Sequence, residues 1–378
     1  MTNILFIHQS ADLYGSDKTL LLLLTKLDKS RFNPVVVIPL DGPLRKELEK
    51  ENIKVIIAPV LKLYRKMFTP KNILLFFKQI KKAVSILDEL NSQYNFDIIY
   101  SNTLAVLLGM VYAKKRKIKH IWHVHEIIVH PKKIASLFPK LLNKYADVVV
   151  CNSQATMDNL VKRQKELVNK TLIIHNGLKP LNDDYIKINR EDLGFEKDDF
   201  IITLIGRINR LKGHKWLLNT FINNLQQDKS IKLLFVGSPV SDQEYYLHEI
   251  EELVQENKLE NTVKIVGFKK DLRPILNLSD MLAVPSTEAE SFGLVALEAM
   301  LAKKPVVGSN HGGLTEIIVH NETGFLVEPN NESELALAIQ KLLGNKEMRN
   351  LFGSNGYERA IKEFSEEKYI SSFERLFK

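Results

Sequence analysis

Two cations and two carboxylates in the second half of the chain, Arg207, Lys212, Glu290 and Glu298, have the types and spacing to hold a diphosphate and nearby hydroxyls. Arg207 and Lys212 sit in Gly206-Arg207 and Lys212-Gly213, between the apolar run Phe200–Ile205 and a helical pattern starting near His214. Gly206 lets the backbone turn closely. A forked guanidinium, a point-charge ammonium and the amides of a helix start together suit a diphosphate. Alone, such a basic loop is more often a solvated surface. The run Pro285-Ser286-Thr287-Glu288-Ala289-Glu290-Ser291-Phe292-Gly293-Leu294 is sharper. It follows the strand-like Met281–Val284 and leads into a helix, Val295–Ala302, that carries Glu298. Ser291 reads as the helix cap, with the amides of Phe292, Gly293 and Leu294 left to donate to a ligand. Glu298 stands among Leu294, Val295, Ala296, Leu297, Ala299, Met300 and Leu301. A carboxylate on so apolar a helix needs hydroxyl or cation partners. Sugar and ribose hydroxyls fit, and a nearby Arg or Lys is the plainer alternative.

The elements that must position these residues are short β-branched runs alternating with longer helical patterns. Ile4–His8, Pro34–Ile38, Ile53–Ile57, Asp97–Tyr100, His120–His123, Asp147–Val150 and Leu172–Ile174 read as buried strands. Helical patterns between them include Asp17–Leu27, Pro43–Glu51, Ile73–Asn91 and Leu104–Lys115. After the polar stretch Lys179–Asp192 the alternation restarts with Phe200–Ile205, Ile231–Val236, Val263–Val266, Met281–Val284, Pro305–Val307 and Phe325–Val327. The expectation is an α/β chain of two doubly wound, Rossmann-type domains, residues 1–182 and 190–357. A final helical segment, 358–378, could cross back to the first domain. Ligands of such sheets sit outside the carboxyl ends of the strands, so the facing loops of the two domains define the expected cleft.

Composition narrows the class further. Apolar residues make up 45% and charged residues 26%, a globular balance. The start of the sequence lacks the pattern of a signal peptide, and no stretch reaches the roughly 20 apolar residues of a membrane span. Cys151, the single cysteine, reads as a small hydrophobe at a strand end and suits a reducing compartment, so a cytoplasmic location is expected. The net charge of +8 is uneven: residues through Pro180 carry 29 Lys and Arg against 14 Asp and Glu, and the remainder 24 against 31. Anionic membrane, phosphate-bearing acceptors or a merely soluble lysine-rich surface all account for the basic half.

Gly206-Arg207, Lys212-Gly213, Pro285-Ser286, Glu290-Ser291-Phe292-Gly293-Leu294, Glu298-Ala299-Met300, Pro305-Val306-Val307 and Gly312-Gly313, in that order, resemble the retaining GT-B glycosyltransferases of family 4. Glu290 to Glu298 is that family's E-x7-E spacing. The resemblance is specific in the second domain and looser in the first. It implies transfer of a sugar from a nucleoside-diphosphate sugar, a UDP- or GDP-sugar foremost, with no cofactor and no metal. It gives Arg207 and Lys212 the diphosphate, aided by the amides at Phe292, Gly293 and Leu294. It gives Glu298 the ribose hydroxyls, Glu290 the hydroxyls of the transferred sugar, and Gly267-Phe268 the base. The family often has a small glycine where Lys303-Lys304 stands here.

In the first domain, Gly15-Ser16 matches a loop that usually carries two glycines, with Tyr14 in place of the first. It would lie against donor phosphates or acceptor. Trp122-His123-Val124-His125-Glu126 resembles the family's His-Asp or His-Glu site, which places His125 by the transferred sugar. His123 and His125 share a strand face and with Glu126 could ligate zinc, a use the family's leaving-group chemistry does not need.

The transition state for such a transfer is oxocarbenium-like, and preorganised cations and amides stabilise the departing phosphate. The resemblance implies retention, through front-face attack in which that phosphate takes the acceptor proton. A glycan or lipid-linked acceptor is expected, in assembly of bacterial surface polysaccharide such as capsule, O-antigen or lipopolysaccharide. The stretch Lys62–Phe68 with Ile73–Lys82, together with Lys114–Lys117 and Lys132-Lys133, reads either as an interfacial surface for anionic lipid or as core packing with a solvated lysine face. The competing functions are a small-molecule glycosyltransferase or a nucleotide-sugar epimerase on the same fold. A basic nucleic-acid-binding protein is the non-enzyme alternative, and the patches lack the interleaved aromatics it would need.

Overall fold

Runs such as Val35-Val36-Val37-Ile38 and Ile201-Ile202-Thr203-Leu204-Ile205 have no polar alternate face, so they are stable only with both faces covered. A computed structural model describes residues 1–62, 70–182, 184–240 and 242–378, in two units. One unit is Met1–Gly177 with Glu366–Lys378, the other Leu178–Ser365.

The first unit holds β1 (Thr2–His8), β2 (Phe32–Ile38), β3 (Lys54–Ile57), β4 (Ile98–Asn102), β5 (Lys119–Val124), β6 (Val148–Cys151) and β7 (Thr171–Ile173). All are parallel, in the order β3-β2-β1-β4-β5-β6-β7. The order reverses between β1 and β4, which makes their carboxyl ends the place where a ligand crevice opens. β4 runs two residues past its expected end at Tyr100, to Asn102. Asp97 stays outside the strand because its carboxylate accepts the Asn3 amide at 2.8 Å. The helix expected from Leu104 begins at Leu108, since the Leu107 and Leu108 amides bond instead to the carbonyls of Leu61 and Val60. Cys151 ends β6 fully buried, and burial pushes its thiol up.

The second unit holds β8 (Phe200–Ile205), β9 (Ile231–Val236), β10 (Val263–Val266), β11 (Met281–Val284), β12 (Val306–Ser309) and β13 (Gly324–Val327). They form a parallel sheet in the order β10-β9-β8-β11-β12-β13, with the reversal between β8 and β11. Leu181 and Ile188 from the polar stretch, with Leu178 just before it, pack against this unit's core, and Asp183 lies outside the described residues.

The chain's end is two helices rather than one segment from Glu358. Lys346–Glu363 belongs to the second unit and Glu366–Leu376 to the first. They break where Phe364 turns inward, its ring edge-on to Phe292 at 5.7 Å. In the last helix Tyr369 and Phe373 are buried beside Phe6 and Tyr100, with Phe377 just after it. Tyr100 contacts Phe373 at 5.9 Å and Phe377 at 5.8 Å between ring centres.

Candidate active site

In the second unit the carboxyl ends of β8 and β11 are joined by backbone. Asn209 caps the short turn Arg210–Lys212, its side-chain oxygen accepting the Leu211 amide at 3.0 Å and the Lys212 amide at 3.2 Å. Gly213 then sits at φ +74°, and a Cβ there would lie 1.7 Å from the Pro285 carbonyl oxygen. Only glycine allows that approach. The turn aims Lys212 at Glu290, Nζ to Oε1 2.6 Å, and the Ser286 hydroxyl donates to the same oxygen at 2.6 Å.

Burial alone would raise the Glu290 carboxyl. The charge and hydrogen bond of Lys212, with Ser286 and His311, outweigh it and hold the group below its ordinary value. Lys212 and Glu290 keep 26% and 15% of their side chains exposed, so a ligand can reach both. An anion can replace the carboxylate at Lys212, and hydroxyls can replace the ammonium at Glu290, without stranding either charge. Behind the pair, the Ser286 carbonyl accepts from Ser309 Oγ at 2.8 Å and contacts His311 Nε2 at 3.0 Å. Gly312, at φ +63°, leaves no room for a Cβ, which would lie 2.4 Å from the Glu290 carbonyl oxygen.

The helix after this loop runs Leu294–Leu301. Ser291 is not its cap, contrary to expectation. Gly293 occupies that position at φ +106°, against Leu314, so the first-turn amides start at Leu294. Phe292 is buried as part of the core, and Glu298 is part-buried within the helix. Arg207 and Gly206 follow β8, both part-buried, with the Gly206 amide on the Val236 carbonyl at 2.9 Å. Gly267 and Phe268 follow β10, where the Phe268 amide donates to Ser238 Oγ at 3.1 Å and the ring is 42% exposed. Arg207, Lys212, Gly267, Phe268, Glu290, Gly293 and Leu294 therefore all belong to loops or a helix start that follow strands of this sheet, and Glu298 lies midway along the helix Leu294–Leu301.

In the first unit Gly15 opens the helix Gly15–Lys26, and the Tyr14 amide bonds to Asp17 Oδ2 at 2.9 Å. His125 lies just past β5, its Nε2 2.7 Å from Asn102 Oδ1. Burial pushes the His125 imidazole down to about 3, so the ring is neutral. His123 is buried with Nδ1 2.5 Å from the Tyr100 hydroxyl, and its ring centre lies 3.9 Å from that of His125. Glu126 accepts the Leu104 and His125 amides, each at 3.1 Å, and burial still raises it to about 7. Among the described residues no three His, Cys, Asp or Glu side chains are grouped as metal ligands.

Sequence reasoning missed Ser286, Asn209 and His311 in the second unit, and His8, Asp17 and Asn102 in the first. His8 and Asn102 are the last residues of β1 and β4, the position where a search for ligand-facing side chains should look.

Of the basic and apolar stretch, residues 63–69 lie outside the described residues. Beyond it, Phe76 and Ile80 pack on the first unit's core, and Lys115 and Arg116 pair with Asp88 at 3.0 and 2.6 Å. Among the described residues no helix is long and apolar enough to cross a membrane.

Two doubly wound units of this kind, the second with the Lys212–Glu290 ion pair and glycine-locked loops at its switch point, have the architecture of a GT-B fold. Sequence comparison gives the same class. The profile of the glycosyl transferases group 1 matches residues 186–359, and that of glycosyltransferase family 4 matches residues 15–180. The chain belongs to the group 1, family 4 glycosyltransferases. It is 28% identical to an uncharacterized glycosyltransferase of Methanocaldococcus jannaschii, over 88% of this chain and 86% of that one. It is 26% identical to the N-acetyl-alpha-D-glucosaminyl L-malate synthase of Bacillus anthracis, over 72% and 78%. The crystal structure of Anabaena HepE in complex with UDP superposes with a TM-score of 0.83 at 25% identity, covering 100% of this chain and 99% of that one.

Proposed function

We propose that the protein transfers a hexosyl or N-acetylhexosaminyl group from a nucleoside-diphosphate sugar, with retention, to a glycan or lipid-linked acceptor. The observation that carries this is the Lys212–Glu290–Ser286 cluster, an exchangeable ion pair at the switch point of the second sheet. Arg207 and Lys212 take the diphosphate, helped by the amides that follow Phe292 and Gly293. Gly206 and Gly15 let backbone come close to it. Glu298 takes the ribose, Gly267 and Phe268 the base, and Glu290 and His125 the transferred sugar. UDP is the favoured carrier, supported by the nucleotide seen in the Anabaena structure. In the reaction the bond from the anomeric carbon to phosphate breaks and a bond to the acceptor oxygen forms on the same face. The acceptor proton goes to the departing phosphate oxygen, whose charge Lys212 and Arg207 stabilise as it develops. No cofactor or metal takes part.

The acceptor belongs to a surface polysaccharide, handled at the cytoplasmic face of the membrane through contact of the basic first domain with anionic lipid. A small-molecule acceptor is the second reading, favoured by the malate named for the Bacillus relative.

The test is nucleotide release from a panel of UDP-, GDP- and ADP-sugars, with Lys212→Ala and Glu298→Ala as controls. Release from one donor, lost in both variants, supports the reading, and NMR of the product's anomeric proton then decides retention. Silence with every donor, without thermal stabilisation by any, would count against it.

A further inference from the structure

The carboxyl ends of β1, β4 and β5 carry an unbroken line of hydrogen bonds that ends on His125. His8 and Asn102 are register partners on neighbouring strands, and His8, Asp17 and Asn102 are all at most 2% exposed. Asp17 Oδ1 lies 2.6 Å from His8 Nε2, His8 Nδ1 lies 2.9 Å from Asn102 Nδ2, and Asn102 Oδ1 lies 2.7 Å from His125 Nε2. The line has one direction. Asp17 also accepts from the Ser10 hydroxyl and the Tyr14 amide. Burial would raise Asp17, but these donors, His8 first among them, hold it below its ordinary value, so it is an acceptor only.

His8 Nε2 must therefore carry a proton. The orientation of the Asn102 amide is fixed separately, because the same Nδ2 also faces the Ser16 carbonyl at 3.4 Å, and a carbonyl can only accept. Nδ2 thus donates to His8 Nδ1, which is an acceptor. The Asn102 oxygen is left to accept from His125.

We propose that Asp17, His8 and Asn102 are positioning residues that hold His125 as its Nε2–H tautomer, leaving Nδ1 as a hydrogen-bond acceptor for a hydroxyl of the transferred sugar. This rests on the reading of His125 as a sugar contact. His125 is the partly exposed end of the line, while the other three members are closed off from solvent. An acceptor of fixed direction selects a hydroxyl donor and holds its proton in one orientation, and neither imidazolium nor the other tautomer can do so. No proton is transferred along the line during turnover.

The experiment is long-range proton–nitrogen correlation NMR on the full-length chain labelled in histidine, with His125 assigned by its loss in His125→Gln. The expected spectrum shows His125 protonated at Nε2 and bare at Nδ1, and His8 likewise. In Asn102→Leu the His125 signal moves toward mixed tautomers, and kcat falls about 10- to 100-fold, as when the partner that orients a metal-bound histidine is removed. The donor KM changes less than about threefold. Asn102→Asp, which keeps an oxygen facing His125, retains the Nε2–H tautomer. A native His125 protonated at Nδ1 overturns the proposal even if no variant folds. So does an unchanged Nε2–H tautomer in a folded Asn102→Leu protein. Failure of the underlying reading looks different: the tautomer is as stated, yet His125→Gln transfers sugar at the native rate.

Discussion

At the ends of β8 and β11 polar groups are held as an ion pair, Lys212 on Glu290, whereas at the ends of β1, β4 and β5 they are held as uncharged rings and an amide closed by one carboxylate. The two arrangements suit different tasks. An ion pair with part-exposed members can be opened by a charged ligand that offers each member a new partner, so it is a device for binding. A buried run of neutral groups keeps proton positions fixed and is little affected by salt, so it is a device for direction. Each unit thus spends its burial on a different property, charge exchange in the second and tautomer control in the first.

The sharpest way to break the comparison is to remove one partner of the ion pair. Lys212→Met takes from the Glu290 carboxylate its ammonium partner and leaves it the Ser286 hydroxyl. The cost is about 1–3 kcal/mol in urea unfolding, below that of a fully buried pair because both side chains keep some water. Nucleotide release falls by about 10²–10³. The double variant Lys212→Met/Glu290→Gln should recover stability to within about 1 kcal/mol of the native protein, because no lone charge remains, while release stays lost. A double variant as unstable as the single one would show that charge compensation is not what holds this loop.

The loops of the second unit were far more legible in the sequence than those of the first, and the reason is the range of the interactions. Gly206-Arg207, Lys212-Gly213 and Glu290 to Glu298 are local patterns following recognisable strands, so their place at a sheet's carboxyl end could be read from chain order. What chain order hides is which loop closes on which. Gly213 needs its positive φ because Pro285 lies against it, 72 residues away in sequence. The cap was misassigned to Ser291 because serine there has the right chemistry, while the strained Gly293 fits the bend only in the folded loop. His8 and Asn102 stand at strand ends, but nothing local joins them to Asp17 or to each other. They meet through the pairing of β1 with β4, at a separation of 94 residues between His8 and Asn102.

Acid should separate the two units. In the first, burial pushes His120 down to about 4 and His125 to about 3, and holds His123 well below its usual range. Folding thus prevents proton uptake that the unfolded chain accepts below about pH 6.5, and stability is lost as pH falls through that value. Glu126 acts in the opposite sense. Raised to about 7, it keeps a proton that the unfolded chain releases down to its ordinary value near 4.5, so it gains stability on acidification across that window. The net is about two protons for the first unit between pH 6 and 5, on the order of 3 kcal/mol per pH unit. The second unit has His214, which burial and the charge of Lys212 push down to about 3, and so about one proton. Hydrogen exchange should therefore show β1, β4 and β5 losing protection more steeply than β8 and β11. His214→Leu, which replaces a buried ring whose nitrogens have no hydrogen-bond partner among the described residues, should flatten the second unit's dependence and leave the first unchanged. Equal slopes in both units would mean that the buried histidines of the first are not held neutral.

The smallest effect is expected at Gly206, and its contrast with Gly213 in the same loop tests whether the ion pair is set by backbone or by side chain. At Gly213 an added methyl meets the Pro285 carbonyl at 1.7 Å, and the φ of +74° is itself unfavourable for alanine. Neither strain can be relieved by rotating a side chain, so Gly213→Ala should cost about 1–3 kcal/mol and shift Lys212 off Glu290. At Gly206 the methyl would meet Cγ and Cδ of Lys212, both at 3.3 Å, and a flexible stem can yield by a few tenths of an ångström. Gly206→Ala should therefore change urea stability by less than about 1 kcal/mol, and its effect should appear as a few-fold rise in donor KM with kcat little altered. If instead kcat fell as in Lys212→Met, the ammonium's position would depend on a free stem as much as on the Gly213–Pro285 backbone contact, and the donor loop would be less preorganised than its caps and glycines indicate.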